Sequence, residues 1–409
     1  MRIIIVNDHG SITGGAAQVA ITSVNALANA GYDVTFVSGI APVDESIDLS
    51  KVRVINFGLH ELLSNPSRLQ ASFRGIWDSR CARRLGALLD EYSPESTVVH
   101  LHSWSQSLTS SVVREALQRD FKLVVTQHDY FSVCPNSALF NYVTQKHCNI
   151  SPMSLSCALT NCDPRSYAQK VWRFSRHLIQ QQVGGMPSRI KYFISVSDYS
   201  EDLLRQYLPS SVKIFRVRSP INIDKMVLPD PGTSDIFSFV GRLSSEKGAC
   251  LFAAAAQKAG VHSVFVGVGA EEGSISMANP TAELRGWNDR AGVIANMRAS
   301  RAVVFPSLLH ETQGLVVPEA AALGVPAIVS DGCAARNAVR DGVTGVLFKA
   351  GDTDDLARKL TILKNSPDFA LQLGKAAYES YWANPCTPEN HVKELINCYE
   401  EILAQVGIT

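Results

Sequence analysis

Residues 236–267, IFSFVGRLSSEKGACLFAAAAQKAGVHSVFVG, decide the fold. An apolar strand expected at 236–240 breaks at Gly241 into a polar turn, an alanine-rich helix follows, and a second apolar run at 263–267 repeats the strand. Short runs that are apolar without strict alternation are strands buried on both faces, and two of them joined through a helix make a βαβ unit with parallel strands. The same rhythm extends outward to expected strands at 302–305 and 327–330, and backward to 3–7, 34–38, 98–101, 123–127 and 192–196. The chain reads as α/β with parallel sheets.

A length of 409 residues argues for two or three domains, at roughly 100–200 residues each. A hydrophobic fraction of 46% and a charged fraction of 19% exclude a disordered or low-complexity chain. Net charge is zero, but there are 22 Lys and Arg against 17 acidic residues before Pro220 and 16 against 21 after it. That imbalance is too mild for a nucleic-acid binder, though it leaves the first half able to meet an anionic surface. RSPINIDKMVLPDPG (218–232), with three prolines and no helical period, reads as a hinge where the charge changes sign. The expected division is 1–220, carrying a cysteine-containing insertion at 130–165, then 221–385, and a last helix within 386–409, patterned over about 388–405, that packs on either domain. MRIIIVND is too short for a signal-peptide core, and no run of about 18 apolar residues occurs, so a cytoplasmic protein is expected.

Three loops suit a phosphorylated ligand. After the first strand, DHGSITGGAA (8–17) places Gly14 and Gly15 where a long helix begins, so that backbone N–H groups can approach an anion. In FVGRLSSEKG (239–248), Arg242 and Lys247 follow a buried strand, offering a planar fork and a point charge to a diphosphate. In HETQGLVVPEAAALGVPAI (310–328), Glu311 lies in a loop and Glu319 in the first turn of the next helix, with the backbone of Gln313, Gly314 and Leu315 at the helix start. Two carboxylates there accept hydrogen bonds from sugar or ribose hydroxyls, so the implied ligand is a polyol joined to phosphate. Taken alone, Glu319 is also an ordinary helix-dipole partner.

In order and spacing, GlyGlyAla near the N-terminus, GlyArg-x4-LysGly after a strand and Glu-x7-Glu followed by Gly-x-Pro resemble the retaining glycosyltransferases of family 4 over essentially the whole chain. The resemblance implies the GT-B fold, in which two Rossmann-like domains with parallel sheets face a central cleft. It implies a nucleotide-diphosphate sugar as donor, held mainly by the second domain, and a saccharide or lipid-linked saccharide acceptor met mainly by the first, in polysaccharide or glycoconjugate assembly. On that basis Arg242 and Lys247 correspond to the diphosphate clamp, Glu311 to the contact with the donor sugar, Glu319 to the ribose ligand, and Gly14 and Gly15 to a loop over the phosphates. Glu271 or Glu272, in VGVGAEE (266–272), matches the family's glutamate near the nucleotide and reads equally as an exposed turn; LRGWN (284–288) resembles the base-side segment. His128, after the strand in VVTQHD (124–129), matches a histidine near the reacting sugar, with Asp129 either orienting it or capping a turn. ThrGln at 312–313 and Pro318 depart from the family pattern, and Pro is tolerated in a first helical turn. DTD at 352–354 is a helix cap rather than a metal motif, so no metal cofactor is expected for donor binding. An epimerase on the same fold and a non-catalytic nucleotide-sugar binder are the rival readings.

Two features stand outside these loops. Cys134, Cys148, Cys157 and Cys162 are separated by 13, 8 and 4 residues and read as a structural zinc site, as reduced thiols or as disulfides. The segment SRLQASFRGIWDSRCARRLGALL (67–89) places Leu69, Phe73, Ile76 and Trp77 at helical spacing among five arginines. It reads as a core helix, or as a helix resting on an anionic membrane with the protein held peripherally.

Overall fold

A computed structural model describes residues 1–404, which form two compact units. The first unit contains Met1–Leu139, Asn149–Asn222 and the chain from Cys386 onward; the second contains Phe140–Cys148 and Ile223–Pro385.

The first unit opens with β1 (Arg2–His9), α1 (Gly15–Asn29), β2 (Asp33–Ile40) and β3 (Val52–Leu59). Then come α2 (Arg68–Ile76), α3 (Ser79–Leu89), β4 (Thr97–Leu101), α4 (Ser111–Gln118) and β5 (Lys122–Thr126). A short hairpin, β6 (Phe140–Asn141) and β7 (Lys146–His147), belongs to the second unit. The chain returns with α5 (Leu155–Leu159), α6 (Tyr167–Ile179), β8 (Tyr192–Ser195), α7 (Asp198–Arg205) and β9 (Lys213–Arg216). Seven strands form one parallel sheet in the order β3-β2-β1-β4-β5-β8-β9.

Strand β1 shows why its run is continuously apolar. Its side chains alternate between faces, so Ile4 and Val6 join Leu85, Leu89 and Val112 on one side, while Ile3 and Ile5 join Val24 and Leu27 of α1 on the other. The last described helix, α14 (Pro388–Ala404), lays Val392, Leu395, Ile396, Tyr399 and Ile402 on that second face, which makes the C-terminal segment part of the first unit. Gln405, at the end of the expected helix, lies outside the described residues.

The segment 67–89 is two helices, not one. Asp78 stops the first and caps the second, its Oδ1 accepting from the backbone N–H of Arg80 (2.9 Å) and Cys81 (3.3 Å). Helix α3 faces inward through Cys81, Leu85, Leu88 and Leu89. Helix α2 does the reverse: Leu69 and Phe73, one turn apart, are 76% and 74% exposed, while Ala71 and Gly75 face in.

The second unit repeats the rhythm with β10 (Ile236–Val240), α8 (Ala249–Ala259), β11 (His262–Val266), α9 (Glu272–Ala278), β12 (Glu283–Leu284) and α10 (Arg290–Arg298). It continues with β13 (Ala302–Phe305), α11 (Val316–Ala322), β14 (Ala327–Ser330), β15 (Gly345–Phe348), α12 (Thr353–Asn365) and α13 (Pro367–Ala383). Its parallel sheet runs β12-β11-β10-β13-β14-β15, so the strand order reverses between β10 and β13. In open α/β sheets, ligands bind outside the carboxyl ends of the strands at such a reversal. Asp352 caps α12 through the N–H groups of Asp354 and Asp355, as expected of a helix start.

Candidate functional site

The loops leaving β10 and β13 bring two expected residues of the second unit, Lys247 and Glu311, together. Lys247 Nζ donates to Glu311 Oε1 at 2.7 Å, and the Ser307 hydroxyl donates to the same oxygen at 2.6 Å. Arg242, at the start of the β10 loop, is exposed and reaches Glu246 at 3.2 Å. Two glycines make this closeness feasible. Gly248 has φ +73, and a Cβ there would stand 2.1 Å from the Pro306 carbonyl oxygen; Gly267 has φ +144, and a Cβ there would stand 1.9 Å from the Gly241 carbonyl oxygen. The β10 loop is therefore pressed between the ends of β13 and β11. Glu311 itself adopts φ +48, a backbone conformation uncommon for a non-glycine residue.

Glu319, in the first turn of α11, is 4% exposed and paired with Arg290 Nη1 at 2.7 Å. Sequence reading missed Arg290. The only signal was AsnAsp before a helix: Asp289 caps α10 through Gly292 N–H, which fixes Arg290 at the helix start. Gln313 and Gly314 lie in the turn before α11, where Gly314 has φ +79 and the Gln313 Oε1 is buried with no hydrogen-bond partner, and Leu315 caps the helix. Glu271 caps α9 and accepts a hydrogen bond from the Cys250 thiol at 2.9 Å, which ties the β11 loop to α8. Glu272 accepts from Gly269 N–H at 3.2 Å. Trp287, in the segment after β12, is exposed.

His147 of the β6–β7 hairpin stacks on His310, beside Glu311, with ring centroids 3.7 Å apart, and its Nε2 bonds the Leu308 carbonyl at 2.8 Å. The hairpin thus braces the loop that carries Glu311. Burial lowers His310 to about 3, so both rings in the stack are neutral at ordinary pH, His147 also being lowered by burial.

In the first unit, Gly14 precedes α1 and Gly15 opens it; both are exposed. His128 follows β5, and its Nε2 lies 2.8 Å from His102 Nδ1, the two rings stacked. Burial lowers His128 to about 3 and holds His102 well below the usual imidazole range, so the pair is neutral, one ring donating and the other accepting. His102 was missed, although HLHSW (100–104) puts two histidines at a strand end just as VVTQHD does. Asp129 caps a turn, its Oδ1 accepting from Phe131 N–H at 2.8 Å. Asp8, also missed, locks the β4 loop to β1 by accepting from the backbone N–H groups of Gln106, Ser107 and Leu108.

The zinc expectation is corrected. Among the described residues, no group of three or more His, Cys, Asp or Glu is placed to hold a metal ion. Cys148 ends the hairpin segment of the second unit, while Cys157 and Cys162 of the first unit receive hydrogen bonds from the ammonium of Lys170, a cation where the donor set would need to receive another. None of the four is in a disulfide.

Residues 13–225, half of the chain, match the family model for "Glycosyltransferase Family 4", and residues 221–380 match "Glycosyl transferases group 1". A phosphatidyl-myo-inositol mannosyltransferase of Mycobacterium leprae (strain TN) is 39% identical over 106 residues, 25% of this chain and 28% of that protein. The aligned stretches span less than half the length of the curated relatives. Among solved structures, sucrose-phosphate synthase from Thermosynechococcus elongatus superposes with a TM-score of 0.73 at 19% identity, covering 99% of each chain. Anabaena Alr3699/HepE, solved in complex with UDP-glucose, superposes at 0.68 and 14% identity, covering 98% of this chain and all of that one.

Proposed function

Starting from a chain that belongs to glycosyltransferase family 4 and has the GT-B fold, we propose that it moves a sugar from a nucleotide-diphosphate donor to a saccharide or lipid-linked acceptor, with retention at the anomeric carbon. The observation that carries this reading is the contact of Lys247 with Glu311 where the sheet order reverses, with Arg242 on the same loop. A cation and a carboxylate held side by side match the two halves of such a donor. Lys247 and Arg242 neutralise the departing diphosphate, and Glu311 accepts hydrogen bonds from the sugar hydroxyls. As positive charge develops at the anomeric carbon and negative charge on the leaving oxygen, the cations act where charge changes most. Glu319 accepts from the ribose hydroxyls once Arg290 yields part of its hold, and the turn at Gln313, Gly314 and Leu315 and the β11 loop with Glu271 line the nucleotide. We assign Gly14 and Gly15 to the donor phosphates and His128 to the sugar and acceptor from the first unit. The diphosphate then needs no metal.

The acceptor reading rests on the outer faces of α2, α5 and α6. Leu69 and Phe73 of α2, Leu155 and Leu159 of α5, and Val171 and Leu178 of α6 are all exposed. Trp172 Nε1 bonds the Ser72 carbonyl and Tyr167 Oη the Ala158 carbonyl, so the three helices adjoin. Exposed apolar area of that extent, with Arg68, Arg80 and Arg83 exposed alongside, suits the headgroup zone of an anionic bilayer where a lipid-linked acceptor is found. Among the described residues no helix is long and apolar enough to cross a membrane. The mannosyltransferase relative carries a phosphatidylinositol in its name, in keeping with an acceptor of this kind.

The test is product analysis with a panel of nucleotide sugars, with and without lipid-linked and free saccharide acceptors. Nucleoside diphosphate released in step with a glycosylated acceptor is the expected result. An altered nucleotide sugar with no acceptor product would mark an epimerase, and binding without turnover a silent binder.

A further inference from the structure

Lys170, on α6, is 1% exposed, and its ammonium donates to two sulfurs, Cys157 Sγ at 3.3 Å and Cys162 Sγ at 3.4 Å. Asn136 extends the group: its amide donates to Cys162 Sγ at 3.3 Å, and its Oδ1 accepts from the Cys134 thiol at 3.0 Å. The neighbouring carboxylate, Asp163, is engaged by Arg165 at 3.4 Å and Arg173 at 3.0 Å. A buried ammonium needs a negative partner, and the groups hydrogen-bonded to this one are thiols. Burial disfavours the charge on Lys170 and the two sulfurs favour it, the balance lying with the charged form. Both sulfurs lie within hydrogen-bonding reach of the lysine nitrogen, so a bond formed between either of them and that nitrogen needs little movement of the chain.

We propose that Lys170 and one of these two cysteines form a reversible S–O–N cross-link under oxidising conditions, a covalent clasp between α5 or the turn after it and α6. The site takes dioxygen or hydrogen peroxide as co-reactant. With dioxygen, the thiol gives up its S–H hydrogen and the amine, after releasing its extra proton, one N–H hydrogen. One oxygen atom enters between sulfur and nitrogen, and the other leaves as water with those two hydrogens. Sulfur and nitrogen each lose two electrons, which together complete the four-electron reduction of dioxygen. With peroxide, two molecules are consumed and three waters leave. Thiol reductants reverse the link, as for other first-rung cysteine oxidations. The arrangement accounts for a lysine buried among thiols with no carboxylate of the described residues bonded to its ammonium.

The experiment maps the full-length protein by peptide mass spectrometry after air or peroxide treatment, with a dithiothreitol-treated control. The expected product joins the peptide of Lys170 to that of Cys157 or Cys162, heavier than their sum by one oxygen and lighter by two hydrogens, and disappears in dithiothreitol. It should be absent from Lys170→Arg and from the Cys157→Ser/Cys162→Ser double variant, which retains Lys170 should the arginine variant fail to fold. A Cys157–Cys162 disulfide with Lys170 unmodified, the absence of any link under both oxidants, or one equivalent of zinc per purified chain by elemental analysis would each overturn the proposal.

Discussion

Lys247 and Glu311, 64 residues apart in sequence, share a hydrogen bond of 2.7 Å at the carboxyl ends of two adjacent parallel strands. In the proposed donor complex a diphosphate competes with Glu311 for the ammonium, and the carboxylate turns to the sugar hydroxyls. Lys247→Ala and Arg242→Ala should each weaken donor affinity and turnover, at about 1.5–3 kcal/mol for a lost charge-assisted contact, or roughly 10- to 100-fold. Steady-state kinetics alongside titration with nucleoside diphosphate checks this. Near-normal values in both variants would remove the clamp assignment.

Arg290 and Glu319 allow a sharper distinction. Arg290→Ala leaves a nearly buried carboxylate without its cation, and we expect a loss of stability of about 1–3 kcal/mol, read as a lower Tm. Glu319→Gln should weaken nucleoside diphosphate binding and turnover together, whereas Glu311→Gln should lower kcat more than nucleotide affinity, because it meets the part of the donor that reacts. Equal nucleotide affinity in the wild type and the Glu319 variant would contradict the ribose assignment.

The parallel strands and the loops at their ends were legible because a doubly buried strand is a short apolar run and a glycine-rich turn after it is hard to read otherwise. Arg242, Lys247, Glu311 and Glu319 were singled out by spacing, and the structure places Lys247 and Glu311 in contact. Arg290 was not singled out, because its importance comes from a partner 29 residues away across the fold. The strands β3, β9 and β15 escaped notice for a related reason: all three lie at sheet edges, and β3 and β9 are half-buried and interrupted by polar residues. Of the three readings of the cysteines the structure bears out free thiols, and spacing along the chain did not choose among them because it says nothing of Lys170, which takes the position between two of them.

Buried histidines set the acid limit of the first unit. Burial holds His100 and His102 well below their ordinary value of 6.5, and lowers His128 to about 3 and His391 to about 4. Below 6.5 the unfolded chain binds protons that the folded one refuses, so stability is complete above that value and is lost as pH falls through it. Each histidine contributes a slope of up to ~1.4 kcal/mol per pH unit. Asp129, raised to about 6 by burial, works in the opposite sense between about 4 and 6 and offsets part of the loss. Tm measured from pH 8 to 5 should fall steadily below about 6.5, and His391→Gln should flatten the slope by one proton whatever it does to absolute stability. A Tm independent of pH over that range would contradict neutral burial of these rings.

The proposed neutralisation of the diphosphate by Arg242 and Lys247 predicts independence from metals. Turnover should survive excess EDTA and gain nothing from added magnesium or manganese, because the departing diphosphate is met by protein cations. Initial rates across a chelator and metal series give the answer, and activity restored specifically by a divalent cation would count against the proposed clamp.

Helix α2 turns its apolar residues outward, which an isolated surface helix does at a cost unless something covers them. Leu69 and Phe73 continue into the exposed Leu155, Leu159 and Val171 of the adjoining helices, while Arg80 and Arg83 of α3 stay exposed. Arg84 is different: its guanidinium bonds the Phe57 and Asn56 carbonyls and lies over the Phe57 ring, so it is a structural residue and a poor probe of membrane charge. If the patch rests on an anionic bilayer, two variants should separate the two contributions. Leu69→Ser/Phe73→Ser should weaken sedimentation with anionic vesicles at every salt concentration, since buried apolar area does not respond to screening. Arg80→Gln/Arg83→Gln should weaken it mainly at low salt, by about 1 kcal/mol per cation, and make binding less dependent on salt. Wild-type protein should prefer anionic over neutral vesicles. Equal, negligible sedimentation with both at low salt would show that these three helix faces serve something other than a membrane.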